Sequence, residues 1–203
     1  MTRGNLFEQV SSDYALALLK EGNKRFVEGK PLSSTNGDTP KARKELYEKG
    51  QAPFAVILGC SDSRVPPELV FDVNVGQLFI VRTAGNVADA IAAGSVEYAV
   101  EHLKAKLVVV LGHQKCGAVA AAISGGDFGD NIGAIVKEIN PSVEKIRAEG
   151  GSESLTCRCE DENAKNTAAK LSKSTILSKY IADGSLKIVC AKYILETGEV
   201  SFF

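Results

Sequence analysis

The sequence predicts an α/β fold: a mostly parallel central β-sheet flanked by helices and finished by a C-terminal edge strand. Two apolar runs, residues 54–59 and 107–112, are rich in Val, Ile and Leu and show no polar alternation. Runs of that kind read as strands buried on both faces. Helical patterns separate the strand-like segments, which implies parallel strands joined by right-handed crossovers. Each of the two runs ends in a glycine followed directly by residues with metal-binding chemistry: Cys60 after the first, His113 and Cys116 after the second.

The elements follow in order. Residues 13–29 read as a helix with a broad stripe of Leu16, Leu18, Leu19, Phe26 and Val27, opened by Asp13 as cap and stopped at Gly29-Lys30-Pro31. Residues 31–39 are turn-rich and read as a loop. Residues 40–49 form a short polar helix with proline at its first position. The first strand, 54–59, leads into the Cys60 loop, and Pro66-Pro67-Glu68 opens a short helix. Residues 77–82 are the second strand, and 83–89 a loop punctuated by Gly85. Gly94-Ser95 marks the entry of a helix reaching Lys104, with Val96, Tyr98, Ala99, Val100 and Leu103 buried. The third strand is 107–112, followed by a small-residue helix over 116–124. Residues 132–148 are helical with a break near Pro141. Residues 152–159 read as a loop, and 160–182 as one long helix with acidic residues in its first turn, where the macrodipole favours them. Residues 186–194 are the fourth strand, and 200–203 return as an edge strand after the Thr197-Gly198 turn.

The chain has 203 residues, 44% hydrophobic and 24% charged, with a net charge of −1. This length suits one domain, 1–203, divided into an N-terminal helical arm (1–50) and an α/β core (51–203). No basic stretch tracks a phosphate backbone, so nucleic acid is not an expected partner. No run approaches the roughly 20 apolar residues of a membrane span. The first 14 residues lack the apolar core of a secretory signal, so the cytoplasm is the expected compartment. Five cysteines at irregular spacing suit metal-bound or buried thiols better than a disulfide framework.

If the first and third strands are parallel neighbours, Cys60, His113 and Cys116 emerge at one C-terminal sheet edge, where open α/β sheets place ligands. Two thiolates and an imidazole suit zinc, and three protein ligands leave the open fourth position of a catalytic site. A lone strand-end cysteine is most often an inert buried thiol. His113-x-x-Cys116 changes the balance, because residues three apart at a helix start share a face. Cys157 and Cys159 read as loop thiols, Cys190 as core, and His102 as a solvated surface residue. Asp62 and Arg64 follow the first ligand directly. As a solvated ion pair they would contribute little. As a dyad, Arg64 keeps Asp62 ionised, and Asp62 orients a water at the metal.

These residues make the sequence resemble the β-class carbonic anhydrases. The resemblance rests on Cys60-Ser61-Asp62-Ser63-Arg64 and Gly112-His113-x-x-Cys116-Gly117, supported by residues 79–86 and 97–100, and extends over nearly the whole chain. It implies reversible hydration of carbon dioxide to bicarbonate and a proton by a zinc-bound hydroxide, with one zinc per chain held by Cys60, His113 and Cys116. Asp62 and Arg64 match the family's dyad. Gln51, Phe79, Ala84, Tyr98 and Gly117 match its substrate-binding positions, with Ala84 where a valine is usual. The implied assembly is a homodimer or a dimer of dimers, with N-terminal helices packed on the partner subunit and sites at the interface. Ile57 stands where some bacterial members carry the tryptophan of a regulatory bicarbonate site, although Arg82 and Tyr98 remain. The plant-like, open form is therefore expected, with water as fourth ligand. Thr83 replaces an asparagine that commonly follows the arginine. Two thiolates should leave the bound water less acidic than three imidazoles would, so activity should rise toward alkaline pH. Competing readings are hydrolysis of carbonyl sulfide or carbon disulfide at the same site, and a non-enzymatic zinc scaffold or redox module.

Overall fold

A computed structural model describes residues 10–32, 39–151 and 154–203. Part of the 31–39 loop and the start of the 152–159 loop expected from sequence therefore lie outside the described residues. The chain runs α1 (Ser12–Val27), α2 (Pro40–Lys49), β1 (Ala55–Cys60), α3 (Pro67–Val70), β2 (Leu78–Thr83), a 3-10 turn (Ala84–Asn86) and α4 (Ala90–Glu101). It continues with β3 (Leu107–His113), α5 (Gly117–Ser124), α6 (Gly129–Glu149), α7 (Leu155–Ser172), α8 (Leu177–Ala182), β4 (Lys187–Tyr193) and β5 (Val200–Phe202).

The described residues form a sheet of order β2-β1-β3-β4-β5. The β2, β1, β3 and β4 strands are mutually parallel, and β5 is antiparallel to β4. This is the α/β architecture expected from the strand pattern. Alternation of side chains sorts the buried residues into two layers. Val56, Leu58, Val108 and Val110 face α4 and α7, packing with Val96, Val100 and Leu171. Ile57, Val109 and Leu111 face the other way, packing with Leu19 of α1 and Phe71 after α3. A third cluster lies beyond the C-terminal edge, where Val119, Val136, Ile139 and Ile146 of α5 and α6 surround Cys60, Cys116 and Cys159.

Ser11, not Asp13, caps α1, accepting from the Tyr14 amide at 3.2 Å. The helix is seated on its own chain. Asn23 donates to the Val70 and Gly198 carbonyls and accepts from the Val200 amide. At Gly22 the backbone of Phe71 comes so close that an added Cβ would lie 1.8 Å from its carbonyl oxygen. By contrast, α2 buries no residue completely, and Tyr47 is 89% exposed.

Several helix boundaries differ from expectation. The α4 helix starts at Ala90, not Gly94, because Asp89 caps it by accepting from the Ala92 amide at 2.8 Å. Its buried Ala92, Val96, Ala99 and Val100 keep one helical stripe. The α6 helix is continuous through Pro141, because Val136, Ile139, Val143 and Ile146 anchor it on both sides of the proline. Tertiary burial there outweighs the lost hydrogen bond. The α7 helix begins five residues before the expected start, capped by Ser154, so Cys157 and Cys159 are helical rather than loop residues. Glu160 accordingly lies inside the helix and not in its first turn. The expected long helix over 160–182 is interrupted after Ser172. There the Ser174 hydroxyl accepts from the Ile176 and Leu177 amides and starts α8 afresh. Cys190 is buried, as the strand pattern implied.

Candidate metal centre

Parallel pairing of β1 with β3 in register, Val56 opposite Val108 through Gly59 opposite Leu111, brings the two strand ends together. Cys60 ends β1, His113 ends β3, and Cys116 is the residue from which α5 starts. The Sγ atoms of Cys60 and Cys116 and a ring nitrogen of His113 lie within 4.8 Å of one another, and all three residues are buried. Neither cysteine is in a disulfide.

Each ligand is held. The Gly85 amide donates to Cys60 Sγ at 3.3 Å. Gly85 turns the chain with φ +72°, and an added Cβ would stand 2.7 Å from Ile139, so glycine meets both demands. His113 Nδ1 lies 2.9 Å from the Gln114 carbonyl oxygen, so Nδ1 carries the proton and donates. Nε2 then holds the lone pair. It is buried and has no hydrogen-bond partner among the described residues. The Cys116 amide donates to Glu160 Oε1 at 3.2 Å.

The electrostatics favour a cation. The neighbouring Cys116 thiol holds the Cys60 thiol well below its ordinary range, against burial, and His113 and the Gly85 amide add to the effect. Cys60 beside it, together with burial, pushes Cys116 up. Burial pushes the His113 imidazole down, yet Cys60, the Gln114 carbonyl and Asp62 outweigh it and raise its proton affinity. A buried lone pair facing a buried thiolate, with a second thiol beside it, fits a borderline-soft ion such as zinc.

Asp62 and Arg64 border this cluster. Arg64 Nε donates to Asp62 Oδ1 at 2.9 Å and Nη2 to Oδ2 at 2.7 Å, a bidentate pair. The Arg64 amide adds a third bond to Oδ1. The Arg64 side chain holds the Asp62 carboxyl well below the usual carboxylate range. Asp62 Oδ2 stands 3.9 Å from His113 Nε2. Arg64 Nη2 also reaches the Lys115 carbonyl, linking the β1 loop to the β3 loop. Arg82 fastens the Cys60 loop from below, donating to the Cys60 and Asp62 carbonyls at 2.8 and 2.5 Å. Thr83, to which the sequence assigns no role, donates its hydroxyl to the Val87 carbonyl and closes the turn that carries Gly85.

The remaining expected site residues fall into two groups. Ala84 adjoins Gly85, and Gly117 adjoins Cys116 at the start of α5, so both lie at the metal edge. Phe79 and Tyr98 lie toward the opposite edge. Phe79 pairs with Val56, four residues upstream of Cys60. At a rise of about 3.3 Å per residue, that is about 13 Å along the sheet. Tyr98 packs on Phe79 with ring centroids 6.3 Å apart. Gln51 precedes β1 and is exposed on that same side. Sequence reasoning missed the partners behind the ligands, namely Glu160, Asn163 and Lys192, and gave no contact to His102, whose ring lies 5.0 Å from that of Tyr98.

Comparison with known proteins points to one family. The family model for carbonic anhydrase matches residues 55–200. "Carbonic anhydrase 2" of Mycobacterium tuberculosis is 43% identical over 185 residues, covering 89% of this chain and 87% of the relative. A carbonic anhydrase of Mycolicibacterium smegmatis is 41% identical over 187 residues, covering 90% and 88%. Among solved structures, the β-carbonic anhydrase CafA of Aspergillus fumigatus superimposes with a TM-score of 0.75 at 27% identity, covering 94% of this chain and 90% of that one. A structure from a description of two tetrameric β-carbonic anhydrases of Sordaria macrospora gives 0.73 at 26% identity, covering 94% of this chain and 95% of that one. With its family match, its sequence relatives and its fold in agreement, the chain belongs to the carbonic anhydrase family, in the β class.

Proposed function

We propose that this enzyme hydrates carbon dioxide reversibly at one zinc ion per chain, held by Cys60, His113 and Cys116. The observation that carries the reading is the buried, unpartnered Nε2 of His113 converging with two cysteine sulfurs. When bound, zinc acidifies water and supplies the nucleophile near neutral pH.

The chain's own residues do the rest. Asp62, kept ionised by Arg64, accepts a hydrogen bond from the attacking water and fixes its lone pair toward the carbon. Arg64 prevents Asp62 from swinging into the cluster. Because both Asp62 oxygens are occupied by Arg64 and Asp62 is not one of the converging ligands, we read the site as the open, plant-like form. Ile57, fully buried in the core, supplies none of the indole chemistry of a regulatory bicarbonate pocket. At α5, the Gly117 amide is placed to donate to the negative charge growing on the substrate oxygens, and Ala84 provides an apolar wall.

Gln51, Phe79 and Tyr98 contribute from the other sheet edge. We infer that they serve the site of a second copy, so the working unit is a homodimer or a dimer of dimers. Exposed apolar side chains support a covered surface: Tyr98, Leu69, Val75 and Ile91 are 49%, 57%, 53% and 79% exposed. The α2 helix, which buries nothing completely on its own chain, is the N-terminal element we assign to the partner. The 203 residues act as one domain. No described helix is long and apolar enough to cross a membrane, and we assign the enzyme to the cytoplasm.

The test is stopped-flow carbon dioxide hydration with zinc quantified on the same sample. Turnover proportional to zinc content supports the reading. Sulfide release from carbonyl sulfide without carbon dioxide hydration would replace the substrate, and zinc without either activity would reduce the site to a scaffold.

A further inference from the structure

The second and third turns of α7 run directly behind the metal ligands. Glu160 and Asn163, three residues apart on one face, are 3% and 1% exposed. Glu160 Oε1 accepts from the amide of Cys116. Asn163 Nδ2 donates to the Gly85 carbonyl at 2.8 Å, and the amide of that same Gly85 donates to Cys60 Sγ. One helix face thus reaches both cysteine ligands, each through a backbone group.

A carboxylate this deeply buried is costly unless it is paired. Here the pair is Lys192, 5% exposed, whose Nζ lies 2.8 Å from Glu160 Oε2 and 3.1 Å from Asp161 Oδ1. The same Nζ donates to the Cys157 carbonyl at 3.0 Å. Lys192 sits on β4 next to Tyr193, which is in register with His113. The Glu160 carboxylate is therefore fixed between the sheet and α5 with one oxygen for each task. A helix packed only for its apolar surface has no use for a buried Glu and Asn at these positions, and the neighbouring Ala164 and Cys159 show that apolar residues fit there.

We propose that Glu160 and Asn163 are positioning residues for the metal, setting the separation of Cys60 and Cys116 from behind, with Lys192 holding Glu160 in place. This rests on the zinc reading above. Outer partners of this kind commonly control metal affinity by 10- to 100-fold.

The experiment measures the zinc dissociation constant by competition with a chromophoric chelator, alongside the absorption spectrum of the cobalt-substituted enzyme. Wild type, Glu160→Gln, Glu160→Ala, Asn163→Ala and Asn163→Leu are compared, with folding checked by circular dichroism. Glu160→Ala and Asn163→Ala should each weaken zinc by about 10- to 100-fold and shift the cobalt bands. Glu160→Gln keeps an oxygen acceptor for the Cys116 amide and should restore most of the affinity. If an alanine variant does not fold, Asn163→Leu decides, since it nearly keeps the volume and removes the donor without adding a charge. Folded variants with wild-type zinc affinity and unchanged cobalt bands overturn the proposal. A wild-type protein that binds no zinc overturns the metal reading instead.

Discussion

At the C-terminal edge of the sheet the ligands are buried, and hydrogen bonds with three segments, the end of β2 and its turn, the β3 loop and α7, fix them. Cys60 is held by Gly85, His113 by Gln114, Cys116 by Glu160, and the Asp62 loop by Arg82. At the N-terminal edge Phe79 and Tyr98 touch each other, Tyr98 is 49% exposed, and Gln51 lies open to solvent. The C-terminal edge has the properties of a finished site, in which desolvation strengthens every polar contact. The N-terminal edge is open and sparsely bonded, as the proposal of a site shared between copies requires. If sites form between copies, as proposed, a single chain would hold the metal edge of one site and the substrate edge of another, and the two functions should separate under mutation.

The sharpest break in that comparison is Cys60→Ser. A hydroxyl is a poor soft ligand, and the loss of one thiolate from three should empty the site. Zinc by atomic emission should fall to background and carbon dioxide hydration with it. Full zinc occupancy in the variant would show that the ligand set is wrong. Asp62→Ala comes next. Its carboxylate lies outside the ligand cluster, so zinc should stay, while kcat falls by roughly 10²- to 10⁴-fold, as expected for loss of a group that positions a proton. Loss of zinc in parallel would make Asp62 a ligand and refute the open form.

The two edges can also be tested against each other by complementation. Asp62→Ala disables the metal edge of its own chain, and Gln51→Ala disables the opposite edge. If sites form between copies, a mixed dimer contains one site with both residues intact. Random exchange of equal amounts should then restore about a quarter of wild-type activity, from half the dimers carrying one good site of two. No recovery after verified exchange would place Gln51 in its own chain's chemistry or outside it altogether.

How much of this was legible follows the same division. Strand ends are marked by apolar runs and glycines, and histidine is scarce, so Cys60, His113 and Cys116 stand out from the sequence alone. Their convergence needs only parallel adjacency of β1 and β3. The support behind them is hidden because Glu160 and Asn163 are polar, and a polar helix face ordinarily means solvent. The Ser154 cap compounds the difficulty, because it is inconspicuous in a run of Gly and Ser. Starting the helix at Glu160 makes its acidic run resemble a macrodipole effect, whereas the true start turns Glu160 inward toward Lys192. Pro141 misleads for the opposite reason, since a local rule predicts a break that packing overrides. The split of the expected substrate residues between two edges is invisible in sequence, because spacing along the chain carries no information on direction across the sheet. The pairing of Phe79 with Val56 reveals it.

The smallest expected effect concerns pH, and it separates the dyad's role in chemistry from its role in stability. Arg64 depresses the folded carboxyl of Asp62 below its unfolded value of about 3.9. A depressed carboxylate contributes stability above the unfolded value and loses it as pH falls through the folded one. Arg64→Ala should therefore be slightly less stable than wild type from neutral pH down to about 4, with the two denaturation curves converging in stronger acid. The gap should be small, because the Arg64 side chain is 52% exposed and water screens the pair. The same depression means that Asp62 stays ionised throughout the working range. A rate that rises toward alkaline pH should accordingly keep its midpoint in Arg64→Ala, although its plateau falls. A midpoint displaced by more than about one unit would show that the dyad titrates with the reaction and does not merely orient the water.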